Sequence, residues 1–86
     1  MNNLKFRKSI HSKVHVNLRK LLVAQRKNIS LSQRELAEKL QVTHSLIGKI
    51  ETGDRRLDFV EMIEYCNALD LSLTVAIDMV KSQYVK

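Results

Sequence analysis

Proline and tryptophan are absent from this 86-residue chain, glycine occurs twice and cysteine once. Without proline, no position is forced to break or kink a helix. With two isolated glycines, there is no glycine-rich loop of the kind that cradles a nucleotide phosphate. The chain therefore reads as helices joined by short turns. Cys66 stands alone, which excludes an intramolecular disulfide and a multi-cysteine zinc site. It falls on an apolar helical face, where a free cysteine behaves as a small buried hydrophobe. No apolar run approaches the roughly 18 residues of a membrane span. Nothing resembles a signal peptide, so the expected setting is a reducing cytoplasm, away from any membrane.

Acidic residues are missing from the first third of the chain. Up to Lys27 the charged residues are Lys5, Arg7, Lys8, Lys13, Arg19, Lys20, Arg26 and Lys27, and the carboxylates begin only at Glu35. The formal net charge is +6. A one-signed segment points to a polyanionic partner, nucleic acid first and an anionic surface second. The length fits a single domain, just under the usual range of about 100–200 residues. A domain this small is marginally stable alone and gains from a second copy or a partner.

Residues 1–11 carry basic and polar groups with only Leu4, Phe6 and Ile10 to bury, and read as a basic N-terminal arm. Whether that arm lies along phosphates or is a solvated tail stays open. From about Ser12 to Asn28 the spacing turns helical, with Val14, Leu18, Leu21, Leu22 and Gln25 on one side. Ser32 and Glu35 fit a capping box that opens a short helix from Gln33 to Leu40, with Leu36, Ala37 and Leu40 inward. Thr43 is a good N-cap for a helix carrying Leu46, Ile47 and Ile50 and ended by Gly53. Asp58 and Glu61 form a second capping arrangement. The helix after it runs to about Leu69, with Phe59, Met62, Ile63, Cys66 and Leu69 expected inward.

Residues 71–86 admit two readings. Leu71, Leu73, Val75, Ile77 and Met79 alternate as in a strand, while Leu69, Leu73, Ile77 and Val80 also fit a helix. The strand is preferred.

The two short helices, with small Ala37 at their crossing and Ile47 and Ile50 one turn apart, resemble the helix-turn-helix of the phage-repressor family, Cro-like and of the xenobiotic-response-element type. The match includes Arg26, Ser32-Gln33, Leu36-Ala37, Ile47, Ile50-Glu51 and Gly53, and spans about Leu18 to Leu73. Two positions depart from the family pattern. Gln41 stands where a turn glycine is usual, so a non-glycine residue must take a positive φ. Leu57 stands where proline is frequent. The fold implied is mainly α: a lambda-repressor-like DNA-binding domain of four to five helices over residues 12–70. The C-terminal strand of residues 71–86 would serve dimerisation.

The resemblance implies a transcriptional regulator, most simply a repressor, that binds a palindromic operator in double-stranded DNA as a homodimer. In that geometry His44, Ser45 and Lys49 face base edges in the major groove. Lys49 suits guanine O6 and N7, His44 donates or accepts according to its tautomer, and Ser45 is permissive. Ser32, Gln33, Thr43, Arg55 and Arg56 would hold phosphates. Arg26 and Glu51 would form an ion pair joining the first and third helices. Leu71, Leu73, Val75, Ile77 and Met79 would supply the dimer contact by pairing with their mates across a two-fold axis. The segment Ala68-Leu69-Asp70-Leu71-Ser72-Leu73-Thr74 also resembles HipB-like antitoxins, which bind a toxin as well as operator DNA, and a restriction-modification controller shares the same logic. His11 and His15 lack further metal ligands, no cofactor motif is present, and no nucleophile is partnered with a base. An enzyme is not expected.

Overall fold

The computed structural model describes residues 13–84, in five helices. They are α1 (Lys13–Asn28), α2 (Gln33–Leu40), α3 (His44–Thr52), α4 (Phe59–Ala68) and α5 (Leu73–Ser82). The basic arm lies outside the described residues.

Local chemistry fixes the helix starts. Ser32 accepts from the Glu35 amide while the Glu35 carboxylate accepts from the Ser32 amide, and Asp58 and Glu61 repeat the arrangement. Each box satisfies two backbone donors that a helix N-terminus otherwise leaves open. The Glu35 carboxyl is correspondingly held below its ordinary range by hydrogen bonds from Ser32. Thr43 caps α3 by accepting from the Leu46 amide. The far end of α4 is closed from other helices: Lys39 of α2 donates to the Ala68 carbonyl and Gln25 of α1 to that of Leu69. The inward position of Gln25 in the α1 pattern thus serves a hydrogen bond and not an apolar contact.

The α2–α3 turn passes through Gln41 at φ 58° and ψ 45°, the left-handed region, with its N–H directed at α2 carbonyls. A Cβ in that region crowds the following carbonyl, and glycine escapes the cost. Gln41→Gly is expected to raise stability by about 0.5–1 kcal/mol, or several degrees in Tm for a domain this size. A lower Tm would show that the Gln41 side chain makes up the strain.

The core gathers where all five helices meet. Leu36, Ile47, Cys66 and Leu69 are fully shielded, Leu22 and Ala76 nearly so, and Ala37 at 3% exposure lets α2 and α3 cross closely. Burial also pushes the Cys66 thiol up from its ordinary value, as for an inert core cysteine.

Two expectations are corrected. Residues 73–82 form a helix, and among the described residues there is no strand. Leu71, Leu73, Val75, Ile77 and Met79 therefore do not line one face. Leu71, Leu73 and Met79 are half-buried, whereas Val75 and Ile77 are exposed. A lone strand has no backbone partner here, while a helix satisfies its own amides and carbonyls and still buries Ala76. Ser72 caps it, and Asn17 of α1 donates to Gln83 at 2.8 Å just beyond its end. The segment that carried the antitoxin resemblance becomes the α4–α5 turn and the start of α5. The second correction lies in α4: Phe59 is 70% exposed and Ile63 half-buried, while Tyr65, 2% exposed, takes the place in the core.

Candidate nucleic-acid interface

Helix α3 is held from one side only. Ile47 and Ile50 plug it into the core, and Gly53 ends it at φ 91° with its N–H on the Ile50 carbonyl. The positive φ is what calls for glycine; a Cβ there would also lie 2.6 Å from the Arg19 guanidinium carbon, the movable end of a long side chain. On the opposite side His44, Ser45 and Lys49 are exposed, and a Cβ built on Gly48 between them meets nothing within 4 Å. The three side chains named for base contact therefore share one open face with a depression at its centre.

Behind that face runs a continuous polar network. Arg26 Nε donates to Glu51 Oε2 at 2.6 Å and Nη2 to Oε1 at 3.1 Å. Its Nη1 donates to the Leu31 carbonyl at 2.8 Å. Both side chains are about nine-tenths buried. The pair ties α1 to the end of α3, and the Leu31 bond ties both to the chain entering α2. Gln33 Nε2 donates to Glu51 Oε1 at 2.7 Å, and Gln33 Oε1 lies 3.2 Å from His44 Nε2. The sequence singled out each of these residues, but nothing in its spacing shows that Gln33 links Glu51 to His44. Tyr65 sits beneath the pair, its phenol pushed up by burial first and by the Glu51 charge second. Its hydroxyl has no hydrogen-bond partner among the described residues.

Of the residues named for phosphate contact, Gln33 belongs to this network and the other four differ in how far they are engaged. The hydroxyls of Ser32 and Thr43 are engaged as helix caps, with Thr43 Oγ1 also 3.3 Å from Ser45 Oγ. Arg55 is committed more firmly: Nη1 and Nη2 each donate to a Glu61 carboxylate oxygen at 2.7 Å. Arg56 is exposed. It lies near enough to His15 that its charge, after burial and together with that of Arg19, lowers the imidazole from its ordinary value. Spacing in the sequence does not show the Arg55–Glu61 pair, because the loop between the two residues has no fixed periodicity.

The Arg55 hydrogen bonds, with the Asp58 amide second, hold the Glu61 carboxyl down to about 2. A folded-state value below the unfolded one stabilises the protein above the ordinary carboxylate range, and that support fades as pH falls towards 2. Wild-type Tm should therefore drop more steeply between pH 5 and 2 than that of Glu61→Gln. Parallel acid limbs would show that the bidentate contact contributes nothing in solution.

The model of a family described as Helix-turn-helix matches residues 22–75, from the middle of α1 into α5. Among solved structures, an XRE-family like protein from Pseudomonas syringae pv. tomato str. DC3000 superposes with a TM-score of 0.80 at 27% identity, over 90% of this chain and 94% of that one. Comparison with curated proteins gives no match. No helix among the described residues is long and apolar enough to cross a membrane.

Proposed function

The chain belongs to the helix-turn-helix family of XRE-type DNA-binding transcription regulators, and on that premise we propose that it is a repressor binding a palindromic operator as a dimer. The observation that carries the reading is the open face of α3. His44, Ser45 and Lys49 surround Gly48 there, and the buried Arg26–Glu51 pair braces the helix from behind. A helix braced on one side and open on the other, with donors and acceptors near its N-terminus, is what the major groove admits.

Phosphate contacts fall to the N-terminal end of α2, at Ser32 and Gln33, to Thr43, and to Arg56. Arg55 joins them to the extent that Glu61 shares it, and otherwise shapes the loop that presents Arg56. Two copies are favoured because one module offers few base contacts. With the strand replaced by a helix, the dimer contact moves to the start of α4 and the outer side of α5. There Phe59, 70% exposed, and Ile77 edge an apolar groove floored by Leu18, Met62 and Leu73, and the neighbouring Val60 of α4 is 63% exposed. A projecting Phe59 next to a groove of its own making suits an isologous contact, in which each copy supplies both knob and hole.

Gly48→Ala separates fold from function. Alanine is a better helix former than glycine, by about 0.8–1 kcal/mol, and the space at the Cβ is empty, so Tm is expected to rise. The same methyl group stands between the helix and the groove, so DNA affinity should fall several-fold. Affinity that is unchanged in the stabilised variant would remove this face from the interface.

A further inference from the structure

The network behind α3 decides more than the tilt of the helix, because its hydrogen-bonding roles are forced in sequence from one end. The Glu51 carboxylate, held by Arg26, has lone pairs and no proton to give. The Gln33 atom 2.7 Å from Glu51 Oε1 must therefore be the amide nitrogen. An amide is planar, with its oxygen opposite its NH2, so the Gln33 atom facing His44 Nε2 at 3.2 Å is the oxygen. That oxygen can only accept. His44 Nε2 must then carry the hydrogen, and in the neutral ring Nδ1 is left with a lone pair.

We infer that Glu51, acting through Gln33, makes His44 an acceptor toward DNA. In the major groove an acceptor selects the exocyclic amino groups, adenine N6 or cytosine N4, and is repelled by the lone pairs of guanine O6 and N7. This rests on the reading of His44 as a base-contacting residue and sharpens it, giving His44 and Lys49 opposite preferences within one half-site. Glu51 and Gln33 are positioning residues here: they touch no base and act by fixing which nitrogen of His44 is protonated.

The wild-type full chain, 15N-labelled at histidine, should show at pH 8 a protonated Nε2 and an unprotonated Nδ1 for His44. Gln33→Met, which keeps the side-chain length and removes the amide, should shift that ring toward a tautomer mixture. Selection from a random duplex pool at pH 8 should enrich adenine or cytosine at the position whose preference His44→Ala abolishes. Discrimination there against guanine should be about tenfold, and Gln33→Met should erode it while sparing the position read by Lys49. A His44 protonated at Nδ1 overturns the inference, and so does guanine at the His44 position of an otherwise clear motif. A pool with no enriched motif overturns the base-contact reading itself and takes the preference with it. Wild-type NMR and selection decide the matter even if Gln33→Met folds poorly.

Discussion

Glu51→Ala should lower the stability of the free protein by about 3–5 kcal/mol and weaken DNA binding in the same variant. The reason is what the substitution leaves behind. Arg26 is 8% exposed and makes two of its three hydrogen-bonding contacts with Glu51. Without the carboxylate the guanidinium remains buried, with only the Leu31 carbonyl to face, and Gln33 loses its acceptor. Stranding a buried charge costs more than the pair contributes, because the desolvation is already spent. For a domain of this size Tm should fall by well over 10 °C. Removing both charges, as Arg26→Met with Glu51→Met, should be milder than Glu51→Ala, since nothing is then left uncompensated. An unchanged melting temperature in Glu51→Ala would mean that the pair is solvated and braces nothing.

Ile47→Ala should be comparably damaging, for a different reason. Ile47 is fully shielded and is the residue by which α3 enters the core, between the crossing at Ala37 and the packing of α4. Truncating a buried isoleucine removes its transfer free energy and leaves a cavity, together about 2–5 kcal/mol. A domain with roughly 0.05–0.15 kcal/mol of stability per residue has little to spare, so thermal denaturation should show a large drop. The contrast with the next residue is the more telling result. Ile47→Ala loses stability, and binding only with it, whereas Gly48→Ala gains stability and loses binding. If the two substitutions moved stability in the same direction, the division of α3 into an inner and an outer face would be wrong.

What the sequence disclosed follows from the range of the forces involved. Both capping boxes, the Thr43 cap and the Gly53 terminus depend on groups within four residues of one another, and each was readable. The burial of Leu36, Ala37, Ile47 and Ile50 follows from periodicity in helices that are polar on the other side. In α4 that contrast fails. Phe59, Val60, Met62, Ile63, Tyr65 and Cys66 spread apolar groups over more than half of the helix surface, so periodicity alone cannot say whether Phe59 or Tyr65 turns inward. Tertiary packing decides for Tyr65, which joins Ile47 and Ile50 beneath the Arg26–Glu51 pair. The C-terminal segment was misread for a related reason: leucine, valine, alanine, isoleucine and methionine crowd positions 71–80 so densely that both periods are met. The deciding fact, that the described residues include no neighbouring strand to pair with, is tertiary. The link from Glu51 through Gln33 to His44 joins residues 18 and 11 positions apart, and only the crossing of α2 and α3 brings them together.

The central claim is that the open face of α3 reads DNA sequence. Selection of duplexes from a random pool by the purified chain at about 0.15 M salt, beside a His44→Ala, Lys49→Ala double variant, tests it most directly. The expected result is a two-fold-symmetric motif with half-sites about 34 Å apart, one helical turn, that disappears in the double variant. Binding that enriches no motif and simply fades as salt rises, equally in both proteins, would contradict it and reduce the +6 charge to nonspecific attraction.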